Sequence, residues 1–347
     1  MKFYILEGNN GATYILNVED QKALDISLYF YKARSTKQKL MKWILKAYLL
    51  YYVKKFRSSS LRSINDIDTY LQNVTGRPID FNIDESCSAL VSPTRDKFIV
   101  HHHGEYFQKF AFGKSYANVK NEALIYELLK KPKKHFEISK MYDLEDVDRE
   151  YCTFKLSSKR EQKSGEVDLV AALVEFFGAV EHKEVLFSEY MQSLIDRLCE
   201  SELLSEEVEQ CLTGMLLWNQ NVKVKLGLVH RDFKPWNVIE DGGLLIYDFE
   251  EAVTDGLPME DLLNFYIDPI IRYEAPEKVA KVIFSEENVS RCERYLDMLG
   301  TETGFEPLVY AYLIERVLFW AQAGEMETVE RYRSLIKYLC QREHREA

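Results

Sequence analysis

Apolar positions alternate along much of the first half of the chain and recur at helical spacing along the second. Residues 3–6 and 12–16 are apolar runs flanking Asn9, Asn10 and Gly11, which predicts a β-hairpin. Residues 40–53 are apolar apart from Lys42, Lys46 and the tyrosine hydroxyls, predicting a helix that starts near Ser35 or Thr36. Ile64, Ile67, Tyr70 and Leu71 mark a short helix over 63–71 that stops before Gly76 and Pro78. Strands follow at 89–91 and 98–100, around a tip at 92–97. After a turn at His103 and Gly104, residues 106–112 alternate, with Tyr106, Gln108 and Phe110 on one face and Phe107, Lys109 and Ala111 on the other. A helical run opens at Asn121 and Glu122 and continues to 129. Residues 136–141 and 151–156 predict two more strands around an acidic turn of Asp143, Glu145, Asp146 and Asp148.

Past a polar tract at 157–165 the period turns helical. Residues 167–177 end at Gly178 as a C-cap, 188–198 follow, and 206–218 have Ser205 as N-cap. Two short apolar runs, 228–229 and 244–246, each lead into polar residues, and Glu240, Asp241, Gly242 and Gly243 form the turn of a hairpin between them. Residues 261–266 predict a helix, and 309–320 and 328–339 predict two amphipathic helices separated by Gly324. Strands first and helices later predict an α+β chain with a β-rich N-terminal lobe and a mostly helical C-terminal lobe. The expected division is an extension over 1–75, an N-lobe over 76–160 and a C-lobe over 161–347, with a hinge in the polar tract.

Composition narrows the class. The 347 residues are 46% hydrophobic and 29% charged, ordinary for a soluble globular chain, and a net charge of −11 argues against general nucleic-acid binding. Six scattered cysteines without a C-x-x-C suit reduced thiols in a cytoplasm. The apolar run at the N-terminus is too short for a signal peptide, and no stretch is long enough to span a membrane, so a cytoplasmic chain is expected. One block breaks the acidic balance. Lys32, Arg34, Lys37, Lys39, Lys42, Lys46, Lys54, Lys55 and Arg57 are nine basic residues with no acidic one among them, which leaves −20 for the rest once they are subtracted from −11. Two placements fit the block: a helix docked on the body with its lysines solvated, or a basic helix lying peripherally on the inner face of an anionic membrane.

The candidate chemistry lies at 228–250. Asp232, Asn237 and Asp248 would gather at one end of a small sheet, and phosphoryl transfer asks for this set: a carboxylate to orient the attacking hydroxyl, and an amide with a carboxylate to hold Mg²⁺. Lys109, among apolar neighbours in a strand, reads either as an edge lysine or as one needing a partner, for which Glu122 is the candidate. His101, His102 and His103 are assigned no metal, because neighbouring strand residues point to opposite faces.

His230-Arg231-Asp232-Phe233-Lys234-Pro235-Trp236-Asn237 fits the protein-kinase pattern H-R-D-x-x-x-x-N, and Asp248-Phe249-Glu250 stands where D-F-G would. With the run from Gly256 to Phe265, the stretch resembles the aminoglycoside phosphotransferase and choline kinase-like superfamily, which has a protein kinase-like fold. It is closest in pattern to sugar kinases of bacterial surface-polysaccharide pathways. The resemblance implies that Asp232 is catalytic, that Asn237 and Asp248 bind the metal, and that Lys109, held by Glu122, meets the phosphates of ATP or GTP. Lys234 would steady the transferring phosphoryl group. Ser92 and Thr94 would lie in the phosphate-covering loop, although that loop has no glycine, and Arg231 stands where small-molecule kinases have glycine. Ala275-Pro276-Glu277 echoes the protein-kinase A-P-E only by coincidence, since 262–271 read as helix. Acceptor candidates are Glu250, Glu251, Asp255, Tyr266 and Asp268, with the aromatics Tyr310, Tyr312 and Trp320, the latter two also readable as core. A small-molecule kinase acting on a sugar or glycan precursor is the favoured expectation. An aminoglycoside or choline-type kinase, a protein Ser/Thr kinase and a nucleotide-binding pseudokinase are the alternatives.

Overall fold

The computed structural model describes residues 3–8, 11–28, 36–56, 63–64, 66–77, 87–102, 105–147, 151–158, 167–203, 205–218, 221–240 and 243–346. Among the features named above, Asn9, Asn10, Lys32, Arg34, Ser35, Arg57, Pro78, His103, Gly104, Asp148, Asp241, Gly242 and most of the expected hinge lie outside the described residues. The chain forms two compact units, Met1–Glu127 with Ser139–Glu161, and Leu128–Ile138 with Gln162–Ala347.

The first unit is built on β1 (Phe3–Glu7), β2 (Thr13–Asn17), α1 (Gln21–Ser27), α2 (Thr36–Phe56), β3 (Ser63–Ile64), α3 (Ile67–Thr75), β4 (Cys87–Val91), β5 (Lys97–His102), β6 (Tyr106–Phe112) and α4 (Gly113–Leu129). After β7 (Glu137–Ile138), which belongs to the second unit, β8 (Met141–Val147) and β9 (Tyr151–Ser157) complete it. Its eight strands form one antiparallel sheet in the order β3-β1-β2-β4-β5-β6-β9-β8. The residues expected as an extension therefore continue this sheet: β2 pairs with β4, Thr13 opposite Val91. Gly11, at φ +82°, turns the first hairpin in the left-handed region that glycine enters without steric cost. Alternation buries one face, where Phe98 stacks on Phe110 at 4.5 Å in a core with Phe3, Ile15, Leu71 and Phe112.

Three local expectations are corrected. The helix expected over 63–71 begins at Ile67, because Asp66 accepts from the Asp68 and Thr69 amides and starts it there; Gly76, left-handed, ends it. α4 begins at Gly113, eight residues before Asn121, because the left-handed Gly113 (φ +47°) turns the chain straight out of β6. Asp143, Glu145 and Asp146 lie in β8 and not in a turn. β8 is an edge strand with its acidic side chains outward, where Lys155 meets Asp143 at 2.9 Å and Lys120 meets Asp146 at 2.6 Å.

The second unit is mostly helical: α5 (Leu169–Phe177), β10 (Lys183–Leu186), α6 (Phe187–Glu200), α7 (Glu206–Trp218), β11 (Lys223–Val229), β12 (Val238–Glu240), β13 (Leu244–Ile246), β14 (Val253–Gly256), α8 (Glu260–Ile271), α9 (Pro276–Ile283), α10 (Glu286–Leu299), α11 (Phe305–Gln322) and α12 (Met326–Glu346). Its strands make two small sheets, β10-β11-β14 and β12-β13-β7. Pro276 opens α9, so the A-P-E echo is a helix start. Sheet in one unit and helices in the other make the chain α+β.

Candidate active site

The loop between β11 and β12 carries His230 to Asn237. It makes few regular hydrogen bonds of its own, so other elements hold it. Asp261, on the first turn of α8, accepts from the backbone N–H of His230 at 2.8 Å with one oxygen and of Arg231 at 3.0 Å with the other. The Arg231 carbonyl, in turn, accepts from Asn264 Nδ2 and from Arg316 Nη1, both at 2.9 Å. Arg231 has φ +61°, and in this left-handed turn both its N–H and its C=O meet side chains of α8, Asp261 and Asn264. Burial pushes the Asp261 carboxyl up to about 6, against the lowering effect of His230 and of the two backbone donors. His230 Nε2 donates to the Tyr247 carbonyl at 2.9 Å, and its ring packs 5.2 Å from Phe249, which stacks on Phe176. The loop and the segment after β13 are thus tied together by one histidine.

Asp232 and its neighbours form the polar centre. Asn237 Nδ2 donates to the Asp232 carbonyl at 2.9 Å and to its carboxylate at 2.7 Å. Lys234 Nζ lies 2.6 Å from the other Asp232 oxygen and 3.0 Å from Asp268 on α8. Asp268 also faces Arg316 at 3.7 Å. Lys234 sits over the rings of Trp236 at 5.8 Å and Trp320 at 5.6 Å, while Arg272 and Arg316 lie 5.0 and 5.2 Å from the Trp320 ring. Asp248, at φ +73°, follows β13 in a left-handed conformation, on the hairpin that pairs Val238 with Ile246.

In the first unit, Lys109 Nζ donates to both oxygens of Glu122, at 2.9 and 2.7 Å, and both residues are buried. A lysine among apolar side chains is stable there because its charge is matched at once. Ser92 and Thr94 occupy the β4–β5 tip, where both hydroxyls turn onto Asp96. Burial raises the Asp96 carboxyl, but the bonds from Thr94 and Ser115 outweigh it and the net shift is down.

The acceptor candidates scatter. Asp268 belongs to the polar centre. Tyr266 is half-buried under Arg291, and Asp255, exposed in β14, lines a polar cavity of ≈ 320 Å³ with Tyr190, Arg231 and Glu315. Glu250 and Glu251 are half-exposed after β13, and Tyr310 and Tyr312 are core, Tyr312 donating to Asn264 at 2.9 Å. Sequence reasoning did not single out Asp261, Asn264 and Arg316. Asp261 reads as an ordinary acidic first turn, but Arg316, a charge inside the mostly apolar run from Leu308 to Trp320, was a signal that a buried partner exists.

A model of the phosphotransferase enzyme family matches residues 97–285, a span that takes in β5 through α9. No curated protein sequence matches the chain. Among solved structures, a thermostable mutant of aminoglycoside phosphotransferase APH(4)-Ia, in ternary complex with AMP-PNP and hygromycin B, is similar at TM-score 0.45 and 14% identity, over 80% of this chain and 98% of that one. The GDP and kanamycin complex of an APH(2″) enzyme is similar at TM-score 0.45 and 11% identity, over 70% and 89%. Because the family match spans more than half of the 347 residues and lies over the Lys109 strand, the Asp232 loop and α8, the chain belongs to the phosphotransferase enzyme family and is a small-molecule kinase that phosphorylates an alcohol group.

Proposed function

We propose that this kinase moves the γ-phosphoryl group of ATP or GTP, with Mg²⁺, to a hydroxyl of a sugar or glycan precursor. The observation that carries the reading is the hold on Asp232, whose two carboxylate oxygens are met by Asn237 and Lys234. A carboxylate fixed in this way orients an incoming hydroxyl and takes its proton as the phosphorus–oxygen bond forms. Asn237 spends its amide nitrogen on Asp232 and so keeps its oxygen for a cation. With the Asp248 carboxylate it makes an all-oxygen pair that suits Mg²⁺, which when bound neutralises phosphate charge. Lys109, braced by Glu122, meets the nucleotide phosphates. Lys234 steadies the phosphoryl group in transit. Ser92 and Thr94 have a lesser part, since their hydroxyls are committed to Asp96.

The acceptor reading rests on what surrounds Asp232. Three cations, Lys234, Arg272 and Arg316, gather about Trp320, against the two carboxylates Asp232 and Asp268. That group has no acidic surplus for a polyamine, whereas its mixed cations and carboxylates are the donors and acceptors that sugar hydroxyls need. The place of action in this reading is the cytoplasm, at the inner face of a membrane that meets the basic block between Lys32 and Arg57.

The test is direct. Pure protein is incubated with Mg-ATP or Mg-GTP and pooled sugars, glycan precursors, aminoglycosides, choline and a generic protein. Phosphate is expected on a sugar hydroxyl. Asp232→Ala is expected to lower turnover by about 10²–10⁴-fold while nucleotide binding survives. Phosphate found only on aminoglycosides would overturn the acceptor, and undiminished turnover in Asp232→Ala would overturn the mechanism.

A further inference from the structure

α2 is the basic helix of the first unit, and it carries apolar side chains on its outward side as well as on its docked one. Leu49 is buried, and Leu45 and Leu50 pack with it on Leu16, Val18, Leu24 and Leu28. Of the three lysines of α2 whose side chains are described, two are turned towards the body and Lys39 is exposed. Lys46 pairs with Asp25 at 2.5 Å, and Lys42 is half-buried, with burial lowering its pKa. The outward side carries Leu40 (57% exposed), Met41 (49%), Trp43 (67%) and Ile44 (44%), followed by the exposed Tyr48 and Tyr51. At 3.6 residues per turn these six positions fall within an arc of about 160°, opposite Leu45 and Leu49. An ordinary surface helix buries one apolar face and keeps the opposite one polar, whereas α2 is apolar on both. The helix is thus docked on the body, as one of the two placements had it, with Lys39 solvated and Lys42 and Lys46 turned in. Exposed apolar side chains in such density mark a contact surface.

The charge around the arc selects the partner. Residues 32–57 hold nine basic residues and no acidic one, in a chain whose remainder carries −20. A second copy packed helix against helix would bring two such basic blocks together, which is repulsive. An anionic lipid surface is attractive to the block and repulsive to the rest of the chain, so it is contacted through this helix first. Trp, Tyr, Leu, Ile and Met flanked by lysine are the side chains that settle at the headgroup boundary, where the indole and phenol rings have one apolar and one wet end. No helix among the described residues is long and apolar enough to cross a membrane, so the helix would lie in the plane of the interface. We propose that the outward face of α2, centred on Leu40, Trp43 and Ile44, docks the protein on an anionic lipid bilayer. The proposal rests on the membrane part of the function proposed for the chain and not on its chemistry.

Full-length protein is mixed with sedimentable vesicles of phosphatidylcholine alone or with three parts in ten phosphatidylserine, at low and high salt. At least ten-fold tighter binding to the anionic vesicles at low salt is expected, much reduced at high salt, with a blue shift of tryptophan emission that Trp43→Phe abolishes. Leu40→Ser/Trp43→Ser/Ile44→Ser changes only exposed positions. It is expected to melt like the parent and to lose binding by ten-fold or more. Equal binding of that triple variant, or no preference for anionic vesicles, overturns the proposal. So does a dimer in sedimentation analysis that the triple variant breaks while vesicles bind neither protein; the occupant would then be a second copy. None of these readouts involves phosphoryl transfer, so vesicle binding without kinase activity would sink the chemistry and leave the docking face standing.

Discussion

Arg231 stands where the small-molecule kinases it resembles commonly have glycine, and its φ of +61° gives the reason for the glycine. A left-handed residue with a side chain costs roughly 1–2 kcal/mol relative to an ordinary conformation. What offsets that cost is the guanidinium, 3.4 Å from the fully buried Glu260 and stacked 5.3 Å from the Phe319 ring. Burial, with the nearby Glu315 charge second, raises the Glu260 pKa well above normal, and the Arg231 charge works against that rise; without Arg231 the guanidinium contacts with Glu260 and Phe319 are lost. Arg231→Gly is therefore expected to lower stability despite relaxing the backbone, and Arg231→Gly/Glu260→Gln to recover most of the loss in a thermal melt. A single variant as stable as the parent would show that the pair contributes nothing. Asp261 makes a second prediction at this scale. Its folded pKa, about 6, lies above the ordinary aspartate value of 3.8. Across that window the folded chain keeps a proton that the unfolded chain has lost, so this group's contribution to stability is full below pH 4 and lost as pH rises through 6. The loss amounts to roughly 3 kcal/mol at about 1.4 kcal/mol per pK unit. Chemical denaturation of the parent and Asp261→Asn from pH 4 to 7 should show their stability difference drifting by that order, and a flat difference would refute the shift.

Among the elements, the strands around the active loop are those with least room for error. β11 delivers His230 to its place by pairing with β10 on one side and β14 on the other. A Cβ on Gly227 would sit 2.7 Å from the Phe177 carbonyl and 2.8 Å from its ring, closer than real Cβ atoms come. Gly227→Ala should therefore push β11 away from α5 and cost about 1–3 kcal/mol, the usual range for overpacking, read as a lowered urea midpoint. An unchanged midpoint would mean that α5 yields freely. Legibility also differs by element. Hairpins announced by Asn, Gly or alternating apolar residues, such as β1–β2 and β4–β5, could be placed from the sequence because turn chemistry and alternation are local. The starts of α3 and α4 could not, since an aspartate cap and a left-handed glycine fixed them. The acids of β8 looked like a turn because an edge strand tolerates outward charge that a central one would not. In the candidate site, the contact of Asn237 with Asp232 was legible as spacing, whereas the roles of Asp261 and Arg316 were not. Their task is to hold backbone atoms of a loop 30 and 85 residues away, and no local pattern encodes such a contact.

At the scale of the whole molecule, the proposed chemistry has a signature that needs no acceptor. A ligand that binds the folded chain and not the unfolded one stabilises it by RT ln(1 + [L]/Kd), about 2.7 kcal/mol at a hundred-fold excess over Kd. For a chain of this size that raises the melting midpoint by a few degrees or somewhat less, roughly 2 °C or more per kcal/mol holding only for smaller domains. Mg-ATP or Mg-GTP should produce the shift in the parent, and the nucleotide with a chelator should produce less of it. The variants separate the roles. Asp232→Ala should keep the full shift, because in the proposed mechanism this carboxylate meets the acceptor and not the nucleotide. Asp248→Ala should lose the Mg²⁺-dependent part, because one of the two oxygen ligands is gone while the fold around Phe249 remains. Lys109→Met should lose the shift for another reason. It removes the phosphate contact and leaves the fully buried Glu122 without its lysine, so its melting point should already lie well below the parent's before nucleotide is added, by about 3–5 kcal/mol of stability. If Asp248→Ala responded to Mg²⁺ as the parent does, the cation would have to be held by other residues, and the assignment of Asn237 and Asp248 as its ligands would fall.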